Sequence, residues 1–542
     1  MSPNVISVLG LLTLVGLGWA ISYHRSRVRF RVVAWGLGLQ FLFAVIILRD
    51  DWWSFAGMAV LGLLVVVYLM EDARWTGREA WIRGVGGGLA ALAVGALLVR
   101  AAPGAILPLL AAVIVLLLAN ARFGRFPGAG RWLGALLVVL LVAFPVSRGL
   151  HGRLVFKAFS EKVAAFLNLS DYGARFLFGN LADPKYFFTS GGAAWPGFGF
   201  QFAFKVLPTI IFFGGFMAIL YHLGVMQRII EAMARFMRWT MGTSGAETLS
   251  CTANIFVGQT EAPLLIRPFL DGMTRSELFT VMVGGFATIA GGVLAGYIAM
   301  GVPAGHLIAA SVMSAPAALV MGKIVFPELE HSQTAGDTAF PEIATGDNVI
   351  EAATNGISDG LKLAVNVGAM LVGFIALIAV LDVSLSFLDR VIDGRLLHGA
   401  WIAYPAQGMS PVAGEYAGIV PGSLRTLFGT LLRPLAWLMG VPWKDAPLVG
   451  NLLGIKLSLN EFVAYGTLGA YIQQHAVSER SVIIATYALC GFANFSSIGI
   501  QIGGISALAP HRRGDLAKLG IKAMFAGAFA SWLTATIAGI LL

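Results

Sequence analysis

Runs of about 18 to 20 apolar residues recur along the whole chain, and this pattern constrains the fold more than any other feature. Each run is long enough to cross the hydrocarbon core of a bilayer as an α-helix. The 542-residue chain is 58% hydrophobic and 12% charged, whereas soluble domains carry about 25% charged residues. No globular core could bury this much apolar sequence. We therefore predict an all-α, polytopic membrane protein with about 12 crossing helices.

Basic residues concentrate between the apolar runs and predict how the chain threads the membrane. The segment after the first run contains Arg25, Arg27, Arg29 and Arg31, which the positive-inside rule places in the cytoplasm. The N-terminus is then outside, and the first run is retained as a helix because it lacks the features of a cleaved signal peptide. The net charge of +9 reflects these loops. We expect a lipid bilayer as the surroundings and no nucleic acid as a partner.

A pattern of polar residues occurs twice, each time around an acidic residue within apolar sequence. The first copy contains Gln259-Thr260-Glu261 and later 285–288 (Gly-Phe-Ala-Thr), and the second contains Asn460-Glu461 and later 491–494 (Gly-Phe-Ala-Asn). A carboxylate at the centre of a bilayer costs roughly 2.5 kcal/mol or more, so it is seldom kept without a use. Two of them in corresponding positions of a duplicated unit predict a secondary transporter whose substrate site lies where the copies meet.

Each copy has the pattern of a re-entrant hairpin followed by an interrupted helix. The first hairpin, 245–270, contains Gly258 and has basic residues on both flanks, so it enters and leaves from the cytoplasm. The second hairpin is flanked by the outer side. The interruptions, 288–293 and 494–499, are rich in Gly, Ser and Asn, which weaken helices. We predict an inverted repeat whose hairpins enter from opposite faces.

The same signals divide the chain into six regions. These are the first two helices (1–50), an inserted four-helix region (51–150), an interfacial and a scaffold helix (151–240), the first transport repeat (241–323), an interfacial segment with a scaffold helix and an outer loop (324–430), and the second transport repeat (431–542). Glu277 and Glu479 begin helices, where a carboxylate is favoured by the helix dipole. We expect both to be structural residues of the helix starts.

Two other classes of function share some of these features. A membrane-embedded enzyme could use Glu261 and Glu461 as a general acid–base pair. The sequence offers no nucleophile or cofactor motif beside them, and its eight histidines are scattered without metal-ligand spacing. A passive channel would not need hairpins that close the pathway from both faces. Neither class would concentrate a substrate, so uptake measured with and without an ion gradient separates them from a transporter.

Five segments of the chain resemble the concentrative nucleoside transporter family. They are 204–209 (FKVLPT), 254–264 (NIFVGQTEAPL), 290–297 (AGGVLAGY), 460–465 (NEFVAY) and 491–497 (GFANFSS). The likeness covers residues 1–50 and about 150–542, and residues 51–150 fall outside it. It implies a symporter that imports nucleosides by alternating access with a sodium gradient, as a homotrimer of the inner membrane. It implies no enzymatic activity and no cofactor.

The resemblance also implies roles for individual residues. The residues facing the nucleobase would be Gln259, Thr260, Glu261 and Val293. The residues around the ribose would be Glu461, Asn494, Ser497 and Phe492. The sodium ligands would be oxygens of Asn254, Val257, Thr288 and Ile289, a set of hard donors suited to Na⁺. The family also contains proton-coupled members, so a proton-coupled nucleoside symporter is the alternative. The preference between purine and pyrimidine nucleosides stays open.

Overall fold

The computed structural model describes residues 2–70, 78–123, 129–182, 201–335, 346–403 and 410–542. Within these ranges the chain is almost entirely α-helical, which confirms the predicted fold class, and two short strands form one antiparallel sheet. The helices are α1 (Pro3–Ala20), α2 (Phe30–Leu48), α3 (Trp52–Met70), α4 (Arg78–Ala101), α5 (Ile106–Phe123), α6 (Ala129–Ser147), α7 (Gly152–Leu167), α8 (Ser170–Phe178), α9 (Phe202–His222), α10 (Val225–Met241), α11 (Gly245–Ala253), α12 (Arg275–Ala287), α13 (Gly291–Ala299), α14 (Ala304–Val325), α15 (Val349–Asp389), α16 (Leu424–Leu438), α17 (Ala446–Ser458), α18 (Glu461–Gln473), α19 (Glu479–Leu489), α20 (Phe495–Leu508) and α21 (Arg513–Leu541). The strands are β1 (Trp401–Ala403) and β2 (Gly414–Tyr416).

The chain divides into two compact units, and the smaller unit comprises residues 38–160 with Leu541. It contains α3 to α6, the four helices predicted for the inserted region 51–150. Helix α3 packs on α4 and α6, and α5 packs on α6. Val66 and Leu140 are fully buried between these helices. The apolar helices therefore form a core of their own.

The two ends of this four-helix segment lie close together. The hydroxyl oxygen of Ser54 accepts a hydrogen bond from the Gly152 N–H (2.8 Å) and donates to the Ile46 carbonyl (2.9 Å). Ser54 is fully buried, and these bonds satisfy its hydroxyl group. The chain thus leaves α2 and returns to α7 at nearly the same place.

The larger unit, residues 1–37, 161–540 and 542, contains both predicted transport repeats, and their elements correspond. In the first, α11 and a 3₁₀ helix form a hairpin, followed by α12, a break, α13 and α14. In the second, α17 and α18 form the hairpin, followed by α19, a break, α20 and α21. The helices stop at 288–290 and at 490–494. Both breaks therefore fall at or beside the predicted interruptions.

Polar residues begin the helices that follow each hairpin. The Thr274 N–H donates to the Glu277 carboxylate (2.9 Å), and the Glu277 N–H donates to the Thr274 hydroxyl oxygen (3.1 Å). This reciprocal pair is a capping box, which satisfies N–H groups that have no partner inside α12. Ser478 caps α19, with Glu479 in its first turn. The predicted structural role at the helix start is confirmed for Glu277, whereas Glu479 lies at the predicted position and makes no capping bond among those described.

The two hairpins differ in their second arms. In the first, residues Ala262–Gly272 form a 3₁₀ helix. Pro263 and Pro268 lack the N–H that an α-helix needs and restrict the residues before them. In the second hairpin the arm is α18, a regular α-helix without proline. Proline placement thus explains why the repeats are not identical in backbone conformation.

The bases of the two hairpins are bound to opposite ends of α21. At its start, Arg512 donates to the carbonyl oxygens of Asp271 (3.1 Å) and Met273 (2.6 Å) beside the first hairpin. Near its end, the Gly539 carbonyl accepts from Arg480, which follows the second hairpin (2.6 Å). Helix α21 has 29 residues and is therefore about 43 Å long. The hairpins enter from opposite sides, as predicted.

Eight helices in the described ranges are long and apolar enough to cross a membrane, namely α1, α2, α3, α5, α6, α9, α14 and α21. The other four predicted crossings also have helical counterparts. Helix α4 has an apolar segment at Val85–Ala101, α15 is 41 residues long, and two pairs, α12–α13 and α19–α20, are each divided by a break. The predicted crossings thus correspond to ten continuous helices and two broken ones.

The basic segment after α9 is a helix with two distinct faces. It forms α10, with Arg228 and Arg235 exposed and Met226, Ile230 and Met237 buried. This spacing separates a charged face from an apolar face, as in an amphipathic helix.

The predicted outer loop 384–430 is also ordered where the structure describes it. It includes a π-helical turn at Arg390–Leu396 and the sheet β1–β2. Three buried aspartates of the α15 segment accept hydrogen bonds from backbone N–H groups of the loop, namely Asp382 from Leu424 (2.8 Å), Asp389 from Tyr416 (2.9 Å) and Asp393 from Val420 (2.7 Å). Residues three, four or seven apart share a helix face. One face of this helical segment therefore organises the loop, which composition alone does not reveal.

Candidate substrate-binding site

A cavity of about 540 Å³ lies where both hairpin tips (254–260 and 459–460) approach the two helix breaks (288–290 and 490–494) and α15. It is lined by all eight residues that the resemblance assigns to the nucleoside, namely Gln259, Thr260, Glu261, Val293, Glu461, Phe492, Asn494 and Ser497. Small-molecule sites commonly have volumes of about 300–1,000 Å³. The structure thus brings the two distant copies of the polar pattern to one site, and their roles as ligands stay predictions.

Glu461 is the first residue of α18 and is 3% exposed. Its Oε1 accepts a hydrogen bond from the Tyr297 hydroxyl (3.1 Å), and its Oε2 accepts one from Asn494 Nδ2 (3.2 Å). The N-terminus of a helix also favours a carboxylate. These interactions compensate for burying the charge. Because a carboxylate has about four acceptor positions, Glu461 keeps the capacity to bind hydroxyl groups.

Asn494 connects Glu461 to the second helix break. Its Oδ1 accepts from the Ser497 N–H (2.9 Å) and from the Ser496 hydroxyl (2.7 Å), so it caps α20 while Nδ2 faces Glu461. The neighbouring Phe492 N–H donates to the Thr288 carbonyl (3.2 Å), which joins the second break to the first. The orientation of the Asn494 amide is therefore fixed by the backbone around it.

Gln259 connects the tip of the first hairpin to the second broken helix. Its Nε2 donates to the Ser497 hydroxyl oxygen (3.2 Å), and its Oε1 accepts from Gln501 Nε2 (3.1 Å). Gln501 is fully buried on α20. The first hairpin is thus held against α20 through Gln259, whose amide also borders the cavity.

Glu261 has surroundings different from those of Glu461. It is exposed, and none of the residues that the structure describes forms a salt bridge with it. It lines the main cavity and also a second cavity of about 330 Å³, which the first hairpin forms with α9 and α15. Glu261 therefore lies between two adjoining cavities rather than inside a closed hydrogen-bond network.

Sequence reasoning missed several residues of this site. Asp359 and Asn366 line the cavity from α15, while Tyr297 and Gln501 hold Glu461 and Gln259. Asn366, Tyr297 and Gln501 are polar residues within apolar sequence, and the cost of such placement is a signal that could have found them. Asp359 lies in a polar stretch of α15 beside Lys362, where this signal is absent. The signal is weak for an isolated residue because no repeated pattern accompanies it.

The four residues that the resemblance assigns to sodium lie at the first hairpin tip and the first break. Asn254 follows the last residue of α11, and Thr288 follows the last residue of α12. Val257 lies in the same tip, and Ile289 lies in the break. The Gly291 N–H donates to the carbonyl of residue 256 in the tip (3.1 Å). The tip is thus packed against the break.

Asn254 and Thr288 present oxygens that can bind a cation. Both are 1% exposed. Asn254 Nδ2 donates to the Ser250 carbonyl (3.0 Å), but Asn254 Oδ1 has no hydrogen-bond partner in the described part of the chain. The Thr288 hydroxyl donates to the Gly284 carbonyl (2.8 Å), which leaves its lone pairs available. A buried acceptor without a donor costs about 1–3 kcal/mol, and Na⁺ would satisfy it.

Inverted hairpins and broken helices around one buried polar cavity define a multi-pass secondary transporter. Known family models match most of the chain. The models of the N-terminus and C-terminus of Na⁺-dependent nucleoside transporters match residues 9–74 and 306–539, and a nucleoside recognition (Gate) model matches 203–304. The chain belongs to the Na⁺-dependent nucleoside transporter family, as predicted, and is a transporter rather than an enzyme. The N-terminal match extends to residue 74, so the prediction that the likeness excludes residues 51–150 is wrong for residues 51–74.

Relatives and solved structures agree with this family. An uncharacterized transporter of Haemophilus influenzae is 43% identical over 72% of this chain and 86% of its own length. Sodium/nucleoside cotransporter 1 of Rattus norvegicus is 42% identical over 72% of this chain, and the match spans 56% of the rat protein. A structure of CNTnw in an inward-facing substrate-bound state has a TM-score of 0.71 and 32% identity, covering 99% of this chain and 98% of that one.

Proposed function

We propose that the cavity of about 540 Å³ is the site through which this symporter imports nucleosides with Na⁺ by alternating access. The observation that carries the proposal is the hydrogen bond from Gln259 to Ser497, which joins residues 238 positions apart and closes one cavity from both repeats. The polar groups around the cavity are neutral or acidic. They suit a ligand rich in hydroxyl and amide groups better than an anion.

The ribose is held by Glu461, Asn494 and Ser497. A carboxylate that accepts two neighbouring hydroxyls forms charge-assisted hydrogen bonds worth about 1.5–3 kcal/mol each. Tyr297 and Asn494 already orient Glu461, so little freedom is lost when the sugar binds. Phe492 lines the cavity beside Asn494 and packs against the sugar.

The nucleobase faces the first hairpin. The amide of Gln259 and the hydroxyl of Thr260 can donate to and accept from the polar edge of a base, and Glu261 adds an acceptor at the mouth of the second cavity. Val293 is 2% exposed and lines the cavity, where it gives an apolar contact to the ring.

Sodium binds between the first hairpin tip and the first break. Its ligands are Asn254 Oδ1, the Thr288 hydroxyl and the carbonyls of Val257 and Ile289. The unpartnered Asn254 oxygen supports this placement. Because the Gln259 side chain projects from the same tip, an ion that orders the tip also orders the base-binding amide. This arrangement couples the two solutes.

The protein acts as a multi-pass transporter of the plasma (inner) membrane and as a homotrimer. The family resemblance supports both assignments. Helix α15 exposes several large apolar residues, among them Val365, Val372 and Leu377, which suits contact with lipid or with another copy of the chain.

Nucleoside uptake into proteoliposomes tests the proposal, with Na⁺ and H⁺ gradients imposed separately. We expect accumulation driven by an inward Na⁺ gradient. Glu461→Gln should abolish uptake, whereas Glu479→Gln, which alters an exposed carboxylate at the start of α19, should preserve it. Asn254→Ala should raise the Na⁺ concentration that uptake requires.

Each alternative gives a different result in the same assay. Wild-type uptake by Glu461→Gln would contradict the ribose assignment. Accumulation driven by the H⁺ gradient alone would identify the proton-coupled symporter, and equilibration without accumulation would identify a passive channel.

A further inference from the structure

We infer that the Lys456 ammonium occupies, in the second repeat, the position that Na⁺ occupies in the first, and acts there as a built-in cation. The inference rests on the sodium site proposed above and deepens it. Lys456 thereby becomes a positioning residue, which holds the second helix break and balances the charge of Glu461 without touching the nucleoside.

Lys456 is fully buried, and its ammonium donates a hydrogen bond to the Ala488 carbonyl (2.9 Å). An ammonium group away from water is costly unless other groups compensate its charge. The position of Lys456 among helix ends supplies this compensation.

Two helix C-termini converge on Lys456. It lies in the last turn of α17, and its partner Ala488 lies in the last turn of α19. The last carbonyl groups of a helix lack partners within that helix and carry partial negative charge, so they favour a cation. Lys456 therefore joins the first arm of the second hairpin to the first half of the second broken helix.

The proposed sodium site of the first repeat uses the corresponding helix ends. Asn254 follows α11, the first arm of the first hairpin, and Thr288 follows α12, the first half of the first broken helix. No lysine or arginine lies in the first tip or break, and Asn254 Oδ1 has no partner among the described residues. One repeat therefore offers open acceptors where the other contains an ammonium group.

The two acidic residues, Glu261 and Glu461, differ between the repeats in a corresponding way. Glu461 begins the helix after the second tip and interacts electrostatically with Lys456. Glu261 follows the first tip and forms no salt bridge within the described ranges. The second repeat thus contains its own cation beside its carboxylate, whereas the first repeat lacks one. A single Na⁺ at Asn254 and Thr288 gives both repeats one positive and one negative charge.

Replacing Lys456 by methionine removes the charge while keeping most of the volume. In proteoliposomes with a fixed nucleoside concentration, we expect wild-type uptake to depend hyperbolically on Na⁺. Lys456→Met should change this to a sigmoidal dependence, with an additional positive charge moved per nucleoside, because a second cation must enter the vacated position. Lys456→Arg, which keeps the charge, should retain the hyperbolic form. Lys444→Met, at an exposed lysine before the same hairpin, is the matched control.

Thermal unfolding of purified Lys456→Met in Na⁺ and in choline extends the test to a variant that folds poorly. Stabilisation by Na⁺ beyond that of the wild type supports the inference. A hyperbolic, wild-type Na⁺ dependence of uptake by Lys456→Met overturns it. If Lys456→Met is unfolded in both salts, the inference is also overturned. The inference predicts that Na⁺ takes the place of the missing ammonium and stabilises the variant. If neither uptake nor Tm of the wild type depends on Na⁺, the proposed sodium site itself is refuted. That result is distinct from the outcomes that test Lys456.

Discussion

Gln501 lies wholly buried on α20, and its amide donates both to Gln259 Oε1 (3.1 Å) and to the Met282 carbonyl (3.2 Å). It does not line the cavity, yet it fixes the side chain that does. At the scale of single residues, the site therefore depends on polar groups one step behind the cavity wall. Tyr297 likewise does not line the cavity, yet its hydroxyl donates a hydrogen bond to Glu461, which does.

Gln501→Leu should weaken nucleoside binding without removing any cavity-lining group. Loss of the donor leaves a buried acceptor on Gln259 unpaired, at a cost of about 1–3 kcal/mol, which corresponds to roughly a 5- to 150-fold higher KM. Gln473→Leu, at an exposed position in the last turn of α18, is the control. An unchanged KM for Gln501→Leu in proteoliposome uptake would show that Gln259 does not need this support.

Asp445, at the base of the second hairpin, should stabilise the protein in a pH-dependent way. Burial disfavours its charged form, but hydrogen bonds from Ser481 (2.7 Å) and Ser478 outweigh this effect and place the pKa of Asp445 below its ordinary value. A lowered pKa gives stability that is present above the unfolded-state pKa of about 3.9 and is lost as pH falls through the folded-state pKa.

Asp445→Asn should therefore lower Tm at neutral pH, and its difference from the wild type should shrink in acid below about pH 4. Thermal unfolding in detergent across this range measures the effect, with Asp347→Asn at an exposed position as the control. A difference in Tm that is constant with pH would show that the carboxylate charge has no part in it.

The two broken helices support each other through their backbones. Gly491 has φ of +141°, and a Cβ there would lie 2.6 Å from the Phe286 carbonyl oxygen at the end of α12. Glycine is needed for this φ and for the close approach. At the scale of elements, the two helix breaks pack closely against each other, and this contact stabilises both.

Gly491→Ala should destabilise the fold by about 1–3 kcal/mol from backbone strain alone, with a further cost from the contact with the Phe286 carbonyl. Gly503→Ala is a matched control on α20, since a Cβ at Gly503 meets no atom within 4 Å, and it should be neutral or slightly stabilising. Thermal unfolding measures both variants. Equal Tm values would mean that the break can rearrange freely.

At the scale of the whole molecule, the chain combines a larger unit that contains the candidate site with a smaller unit of four apolar helices that has its own core. The ends of the four-helix segment meet at the hydrogen bond between Ser54 and Gly152 (2.8 Å). An even number of helices between these ends leaves the orientation of the following helices unchanged.

A variant in which Ser54 is joined directly to Gly152 should therefore insert with the same topology and retain nucleoside uptake. Accessibility of single cysteines on each side of the membrane checks the topology, and uptake kinetics check the site. Correct topology with abolished uptake would assign the four helices a part in transport. A deletion from Ser54 to the middle of α5 removes an odd number of crossings and serves as the misfolding control.

The sequence predicted those parts of the protein that repeat or belong to a family motif. The eight cavity residues came from the resemblance, and both hairpins came from glycine, proline and loop charge. Gln501 and Lys456 were not assigned a role because each is one polar residue in apolar sequence, whose partner lies on a distant element. The aspartates that order the outer loop bind backbone N–H groups, which leave no trace in composition.

The hydrogen bond between Gln259 and Ser497 has a consequence for biogenesis. A nascent chain that has released only the first hairpin has half of the proposed binding site, and the other half is synthesised more than two hundred residues later. A nucleoside that is present during translation can therefore bind only the completed protein, not the nascent chain. A permeant nucleoside analogue would rescue folding-defective mutants by trapping completed molecules, and would give no help to truncated ones.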